Sequence, residues 1–155
     1  MTQAVSFEKY LGKPFHSFNI GQVNLKVNKD KFSVLPKNIS FYGKKIESIN
    51  IKTDSQNNIV EFEIILVQVL SNELYQILIA HFGEPSGIFN SSSVISKEDF
   101  VNSEFTGKTI AYKSTRFFNL KERPFKVIWE KQNFALDVLI DYDFEATRIL
   151  LKAKK

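Results

Sequence analysis

The sequence predicts an α+β fold in which one main helix packs on one face of a curved, mostly antiparallel sheet. Two β-prone runs, residues 46–53 and 59–69, flank a polar loop and predict a hairpin. A helical pattern with an apolar stripe follows at residues 71–82. The C-terminal third contains further β-prone runs separated by short polar turns, which predict a meander. A chain of 155 residues has the usual size of one domain, so we expect a single domain over residues 1–155.

The N-terminal part predicts short elements. Residues 5–11 predict one or two helical turns, because Gly12 and then Pro14 follow, as is typical where a helix ends. Apolar and polar residues alternate from residue 23 to residue 28, which predicts a strand with one dry face. A polar turn then leads to a short return strand at residues 32–35.

The run from residue 59 to residue 69 is the longest β-prone segment and is expected to lie inside the sheet. Both of its faces become apolar at Ile65 and Val67, which predicts that this end is covered on both sides. Ser71 or Asn72 is expected to cap the helix that follows. The residues on the predicted dry faces are expected to be buried: Phe62, Ile64, Leu66, Leu74, Ile77, Leu78 and Trp129.

The meander is predicted from four segments, at residues 108–117, 125–131, 134–141 and 147–154. Only Gln132 and Asn133 separate the second segment from the third, which predicts a tight hairpin. Rings and charges alternate along residues 125–130, a pattern typical of a strand that covers a core. Although the stretch from 108 to 131 is rich in basic and aromatic residues, we therefore expect no nucleic-acid partner.

Charge is distributed in blocks along the chain. Residues 9–52 carry nine lysines against two acids, and residues 54–104 carry eight acids against one lysine. Neighbouring strands of opposite sign would pair across the sheet, and this is the interpretation that we favour. The alternative is that folding gathers one sign on a single face and attracts a charged partner.

The chain has no cysteine and two histidines, so thiolate chemistry is excluded and a catalytic zinc site is not expected. Phosphate-binding loops and serine nucleophile motifs are also missing. One acidic cluster is the best candidate for a metal or acid/base site, with its last three members on one strand face: Asp137, Asp141, Asp143 and Glu145. It lacks the glycine and the distal glutamate of a calcium loop, where Ala146 and Lys152 stand instead. We expect no metal and no cofactor.

The sequence shows no secretory signal and no apolar run of membrane-spanning length. We expect a cytoplasmic protein with no membrane partner, unless a leader has been removed.

Without catalytic motifs, the blocks of charge and a long polar loop at residues 86–106 favour a non-enzymatic protein that acts through protein–protein contact, as an inhibitor or an escort. Phenylalanines in the loop are expected to anchor the partner, and acids to attract a basic one. These residues are Phe89, Glu98, Asp99, Phe100, Glu104 and Phe105. The basic meander face with Lys108, Lys113 and Lys126 is the other place for an interface. The alternative function is a small-ligand carrier with a pocket between helix and sheet.

Overall fold

A computed structural model describes residues 3–19, 22–90 and 124–154 of the chain. These residues form strands and one α-helix, with two 3-10 turns near the N-terminus. In chain order the elements are β1 (Gln3–Ala4), the 3-10 turns Phe7–Tyr10 and Phe15–Ser17, β2 (Gln22–Asn28), β3 (Lys31–Leu35), β4 (Ile39–Phe41), β5 (Lys44–Lys45), β6 (Ser48–Thr53), β7 (Ile59–Leu66), α1 (Asn72–Phe82), β8 (Gly87–Asn90), β9 (Pro124–Glu130), β10 (Phe134–Asp141) and β11 (Ala146–Ala153).

The main sheet is curved, open and antiparallel throughout, with eight described strands in the order β2-β3-β6-β7-β11-β10-β9-β8. The predicted α+β class, the β6–β7 hairpin and the meander β9–β10–β11 are confirmed. The last strand of the meander, β11, lies between β7 and β10 and so joins the two halves of the sheet. A smaller sheet, β1-β4-β5, lies beside it, with β1 parallel to β4.

The core lies between α1 and the sheet, and it contains six of the seven residues that were predicted to be buried. The prediction for Ile77 is wrong, because this side chain is only partly buried. Tyr75 is fully buried instead, with its ring centroid 6.3 Å from that of Trp129. The helix is therefore rotated so that Leu74, Tyr75, Leu78 and Phe82 face the sheet.

Aromatic side chains fill the core beneath the N-terminal segment. The predicted helical turns at residues 5–11 form a single 3-10 turn, after which Gly12 takes a φ of 82°. This turn buries Phe7 against Phe62, with the two ring centroids 5.2 Å apart in an edge-to-face arrangement. Phe18 packs at 5.2 Å from Phe62 as well. These contacts place the N-terminal segment over β7, on the same face as α1.

The ends of α1 are fixed by specific hydrogen bonds. The Ser71 hydroxyl accepts from the Leu74 N–H at 3.1 Å. Of the two candidates, Ser71 and Asn72, Ser71 is therefore the N-cap. At the other end Gly83 has a φ of 84°, and its carbonyl accepts from the Trp129 indole N–H at 2.8 Å. Lys131 donates to the Phe82 carbonyl at 2.6 Å. The end of α1 is thus attached to β9.

Two predictions about strand ends are corrected. The strand expected over residues 59–69 ends at Leu66, and Val67 is 64% exposed, so the predicted coverage of both faces is wrong at this residue. The chain leaves the sheet there to enter α1, and pairing with β11 stops at Leu66. Residues 87–90, expected to begin a long loop, form β8 on the outer side of β9. The rest of that loop and the strand expected at 108–117 lie outside the described residues.

Opposite charges occupy neighbouring strands on the sheet face that points away from α1. Glu61 on β7 lies between Lys52 of β6 and Lys152 of β11. Glu63, the next residue on this face of β7, accepts from the Arg148 guanidinium, with Nε at 2.8 Å. For these strands, cross-strand pairing accounts for the blocks of charge in the sequence.

Candidate functional site

A groove of about 560 Å³ opens at one end of the main sheet. Its lining combines five apolar side chains with polar groups from the β10–β11 turn and from β11: Ile65, Phe125, Leu139, Ile140, Asp141, Tyr142, Asp143, Ala146 and Arg148.

The register of the sheet places one wall of this groove on the face opposite α1. Leu139 of β10 pairs with Arg148 of β11, and Arg148 pairs with Ile65 of β7, so the three side chains form one row across the sheet. Their neighbours along the strands, such as Val138 and Ile149, are fully buried in the core. Because side chains alternate between faces, the row faces away from the core.

The β10–β11 turn is held by Asp141, whose Oδ1 accepts from the N–H groups of Asp143 and Phe144 at 3.1 Å each. Glu145 then takes a φ of 50° and directs the chain into β11. The expectation that Asp141, Asp143 and Glu145 share one strand face is wrong, because β10 ends at Asp141 and the other two belong to the turn. The acids instead surround the tip of the hairpin.

Phe144 stands at this tip with 81% of its surface exposed. Val67, which is also exposed, directly follows β7. The last residue of β7, Leu66, pairs with Thr147, which lies just after the β10–β11 turn. The Thr147 hydroxyl donates to the Gln68 carbonyl at 2.6 Å and attaches this segment to β11. We call the groove, together with Phe144 and Val67, the hairpin-end surface.

The electrostatics of the hairpin-end surface are negative at the turn. Asp141, Asp143 and Glu145 have no cationic partner among the described residues. Arg148 is held by Glu63, which also accepts from the Asn50 side-chain amide at 2.8 Å. Burial opposes the ionisation of Glu63, but the hydrogen bonds from Asn50 and Arg148 outweigh it and lower the pKa of this carboxyl.

Asp137, the fourth acid of the predicted cluster, lies in the middle of β10, apart from the turn. Burial raises the pKa of Asp137, while the charges of Lys126 and Lys152 oppose this shift. In the described ranges, no three or more Asp, Glu, His or Cys residues come close enough to hold a metal ion. The same ranges contain no helix that is long and apolar enough to cross a bilayer.

Of the residues predicted to bind a partner, Phe89 and, on the alternative basic face, Lys126 lie in the described part of the chain. Phe89 belongs to β8 and is 8% exposed, with its ring centroid 6.2 Å from that of Phe125. The Lys126 ammonium lies 5.8 Å from the centroid of the same ring. Phe89 therefore packs within the fold and is not an exposed anchor in this structure. The remaining predicted residues lie outside the described ranges: Glu98, Asp99, Phe100, Glu104 and Phe105, and, on the basic face, Lys108 and Lys113.

Sequence reasoning missed Phe144. The signal was a large apolar residue within the acidic turn Asp141–Glu145, a place where polar residues usually predominate. The groove could not be predicted from the sequence, because its lining comes from four separate strands: Ile65, Phe125, Leu139 and Arg148.

A small-ligand pocket was considered between α1 and the sheet. Tyr75, Leu78 and Trp129 are fully buried there. A comparison of the chain with models of protein families, with curated proteins and with solved structures found no match.

Proposed function

We propose that this protein is a non-enzymatic protein-binding module, of the inhibitor or escort type, which contacts its partner through the hairpin-end surface. The observation that carries the proposal is Phe144, a large apolar side chain that is 81% exposed and directly follows Asp143, which lines the groove. Exposed aromatic residues beside a concave apolar surface are typical of binding sites, because the partner removes them from water.

The position of Phe144 strengthens the argument. Its backbone N–H is fixed by Asp141, so the tip of the hairpin is ordered before any partner binds. A pre-ordered anchor loses less conformational entropy on association than a free loop does. The groove beside it is walled by Ile65, Leu139 and Phe125, which supply further apolar area for a partner to cover.

The chemistry of the surface favours binding over catalysis. Its polar side chains are carboxylates around a turn, a tyrosine and an arginine. Tyr142 donates its hydroxyl proton to the Pro124 carbonyl at 2.7 Å, and Arg148 is held by Glu63. Both groups therefore have structural partners. The carrier alternative has less support, since the groove is open to solvent on the outer face and large side chains such as Tyr75 and Trp129 are fully buried beneath α1.

The test is site-specific photo-crosslinking with benzoylphenylalanine at position 144 in the native host. The same probe at Val27 is the matched control, because Val27 is also an exposed apolar residue, 50% exposed, near the opposite end of the sheet. We expect position 144, but not position 27, to capture one protein species. That species is then purified and its affinity is measured with the wild type, with Phe144→Ala and with Val27→Ala.

Loss of a central aromatic anchor typically weakens a complex by about tenfold or more. We therefore expect Phe144→Ala to bind at least about tenfold more weakly and Val27→Ala to bind like the wild type. Equal binding by Phe144→Ala, with its unfolding midpoint unchanged, would refute the proposal. So would the capture of the same set of proteins from both positions.

A further inference from the structure

We infer that the occupant of the hairpin-end surface is a peptide segment in which an apolar side chain is flanked by lysine or arginine. The inference rests on the proposed function and adds the chemistry of the partner. It is carried by the arrangement of charge around Phe144, which is independent of the exposure of the ring itself.

Three carboxylates surround the anchor. Asp143 and Glu145 are the immediate chain neighbours of Phe144, and Asp141 lies beneath the turn. All three are exposed, and none has a cationic partner in the described part of the chain. A segment that covers Phe144 brings its flanking residues next to these carboxylates. Cations there would gain attraction, whereas acids would be repelled.

The two described cations nearest the surface, Arg148 and Lys126, have partners of their own. Arg148 already donates to Glu63 through its guanidinium, so an acidic partner would have to compete with that carboxylate. Lys126, opposite Leu139 on β9, lies over the ring of Phe89 and beside Asp137. Among the described residues, the unpaired charge at the tip of the hairpin is therefore negative.

The apolar part of the occupant follows from the groove. Its volume of about 560 Å³ exceeds the space that one aromatic or large aliphatic side chain needs. Ile65 and Leu139 supply an aliphatic wall, and Phe125 supplies an aromatic one. A side chain from the partner would bury apolar area on these walls while its cationic neighbours remain at the acidic rim.

The test uses a display library of random twelve-residue peptides, selected on the wild-type protein and counter-selected on Phe144→Ala. Enriched peptides are synthesised and their binding is measured by fluorescence anisotropy at 50 and 300 mM NaCl. The charge variant is Asp143→Asn with Glu145→Gln, which leaves Asp141 and its turn hydrogen bonds in place. The matched control is Asp30→Asn with Asp54→Asn, which removes the same charge in the β2–β3 and β6–β7 turns at the opposite end of the sheet.

We expect enriched peptides to carry net positive charge and at least one large apolar residue. The Asp143/Glu145 variant should bind them about fivefold or more weakly, and the control variant should bind like the wild type. Added salt should weaken wild-type binding more than binding to the charge variant, because screening acts on the charges that the variant lacks.

The outcomes separate the two proposals. The inference is overturned, and the proposed function stands, if the enriched peptides are neutral or acidic. The same holds if they bind the charge variant like the wild type but do not bind Phe144→Ala. Peptides that bind Phe144→Ala as well as the wild type overturn the proposed function. If no peptide is enriched on the wild type relative to Phe144→Ala, both the proposed function and the inference are contradicted.

Discussion

Replacing Tyr42 with Phe is expected to stabilise this protein, although the change removes a polar group and adds nothing. The Tyr42 hydroxyl is buried and has no hydrogen-bond partner among the described residues. Its ring packs against Phe41, His81 and Phe82, with centroid distances of 4.8, 4.6 and 6.3 Å. The substitution preserves these ring contacts and removes only the hydroxyl.

The magnitude follows from the cost of an unsatisfied polar group. Leaving a hydroxyl buried without a partner costs roughly 1–3 kcal/mol. Tyr42 is only partly buried as a residue, so we take the lower end and expect Tyr42→Phe to gain about 1 kcal/mol in the free energy of unfolding. For a protein of this size, that gain corresponds to a rise of roughly 2–4 °C in Tm.

Tyr142→Phe is the matched control, because it removes the same atom from a hydroxyl that is satisfied. Tyr142 donates to the Pro124 carbonyl at 2.7 Å, so its loss should cost about 1 kcal/mol. The assay is urea unfolding of the wild type and the two variants, monitored by tryptophan fluorescence. If Tyr42→Phe destabilises the protein as Tyr142→Phe does, the Tyr42 hydroxyl has a partner and the reasoning is refuted.

The pH dependence provides a second readout for Tyr42. Burial, and to a smaller extent the charge of Glu8, raise the pKa of Tyr42 above its ordinary value of 10.0. The folded state therefore holds this proton more tightly than the unfolded state does, and stability is lost as the pH rises above 10. The phenylalanine variant cannot lose stability in this way. Its advantage over the wild type should grow above pH 10, and a constant difference would contradict the assigned cause.

Three further predictions concern the core, the charge network and the hairpin turn. Phe62→Ala should cost roughly 3–5 kcal/mol in denaturant unfolding, because Phe62 is fully buried against Phe7; a loss below about 1 kcal/mol would show that the packing is different. Because Arg148 and Asn50 lower the pKa of Glu63, the stability that this carboxylate adds should be lost as the pH falls below about 4.5. The wild type should therefore approach Glu63→Gln in stability between pH 7 and pH 3, and an unchanged gap would argue against the pairing. Calorimetry with calcium at low salt should detect no binding tighter than millimolar, since Asp141 Oδ1 already accepts two backbone N–H groups; a micromolar constant would overturn this.

The local elements could be predicted from the sequence, because each depends on neighbouring residues. Alternation along β6 and β7 sets which side chains are buried, and the loop between them sets the hairpin. Ser71 and Gly83 bound α1 through hydrogen bonds with residues three or four positions away. The β9–β10 hairpin similarly follows from a turn that is too short for any other connection.

The orientation of α1 depended on contacts that no local pattern contains. Leu74, Ile77 and Leu78 form an apolar stripe in the sequence, yet Tyr75 is the residue buried against Trp129. Trp129 also donates to the Gly83 carbonyl and so holds the end of the helix against β9. Trp129 lies 46 positions beyond Gly83, so no local sequence pattern contains this contact.

The sequence by itself determined the fold class, the hairpin, the helix with its caps and the meander, because backbone hydrogen bonding and side-chain alternation act over a few residues. Only the tertiary structure decided that β11 lies between β7 and β10, since the pairing of distant strands depends on which faces they bury together. That placement brings Ile65 beside Arg148 and Leu139 and so forms one wall of the groove. The groove is a product of strand order, whereas the exposed Phe144 is visible in the sequence as an apolar residue in an acidic turn.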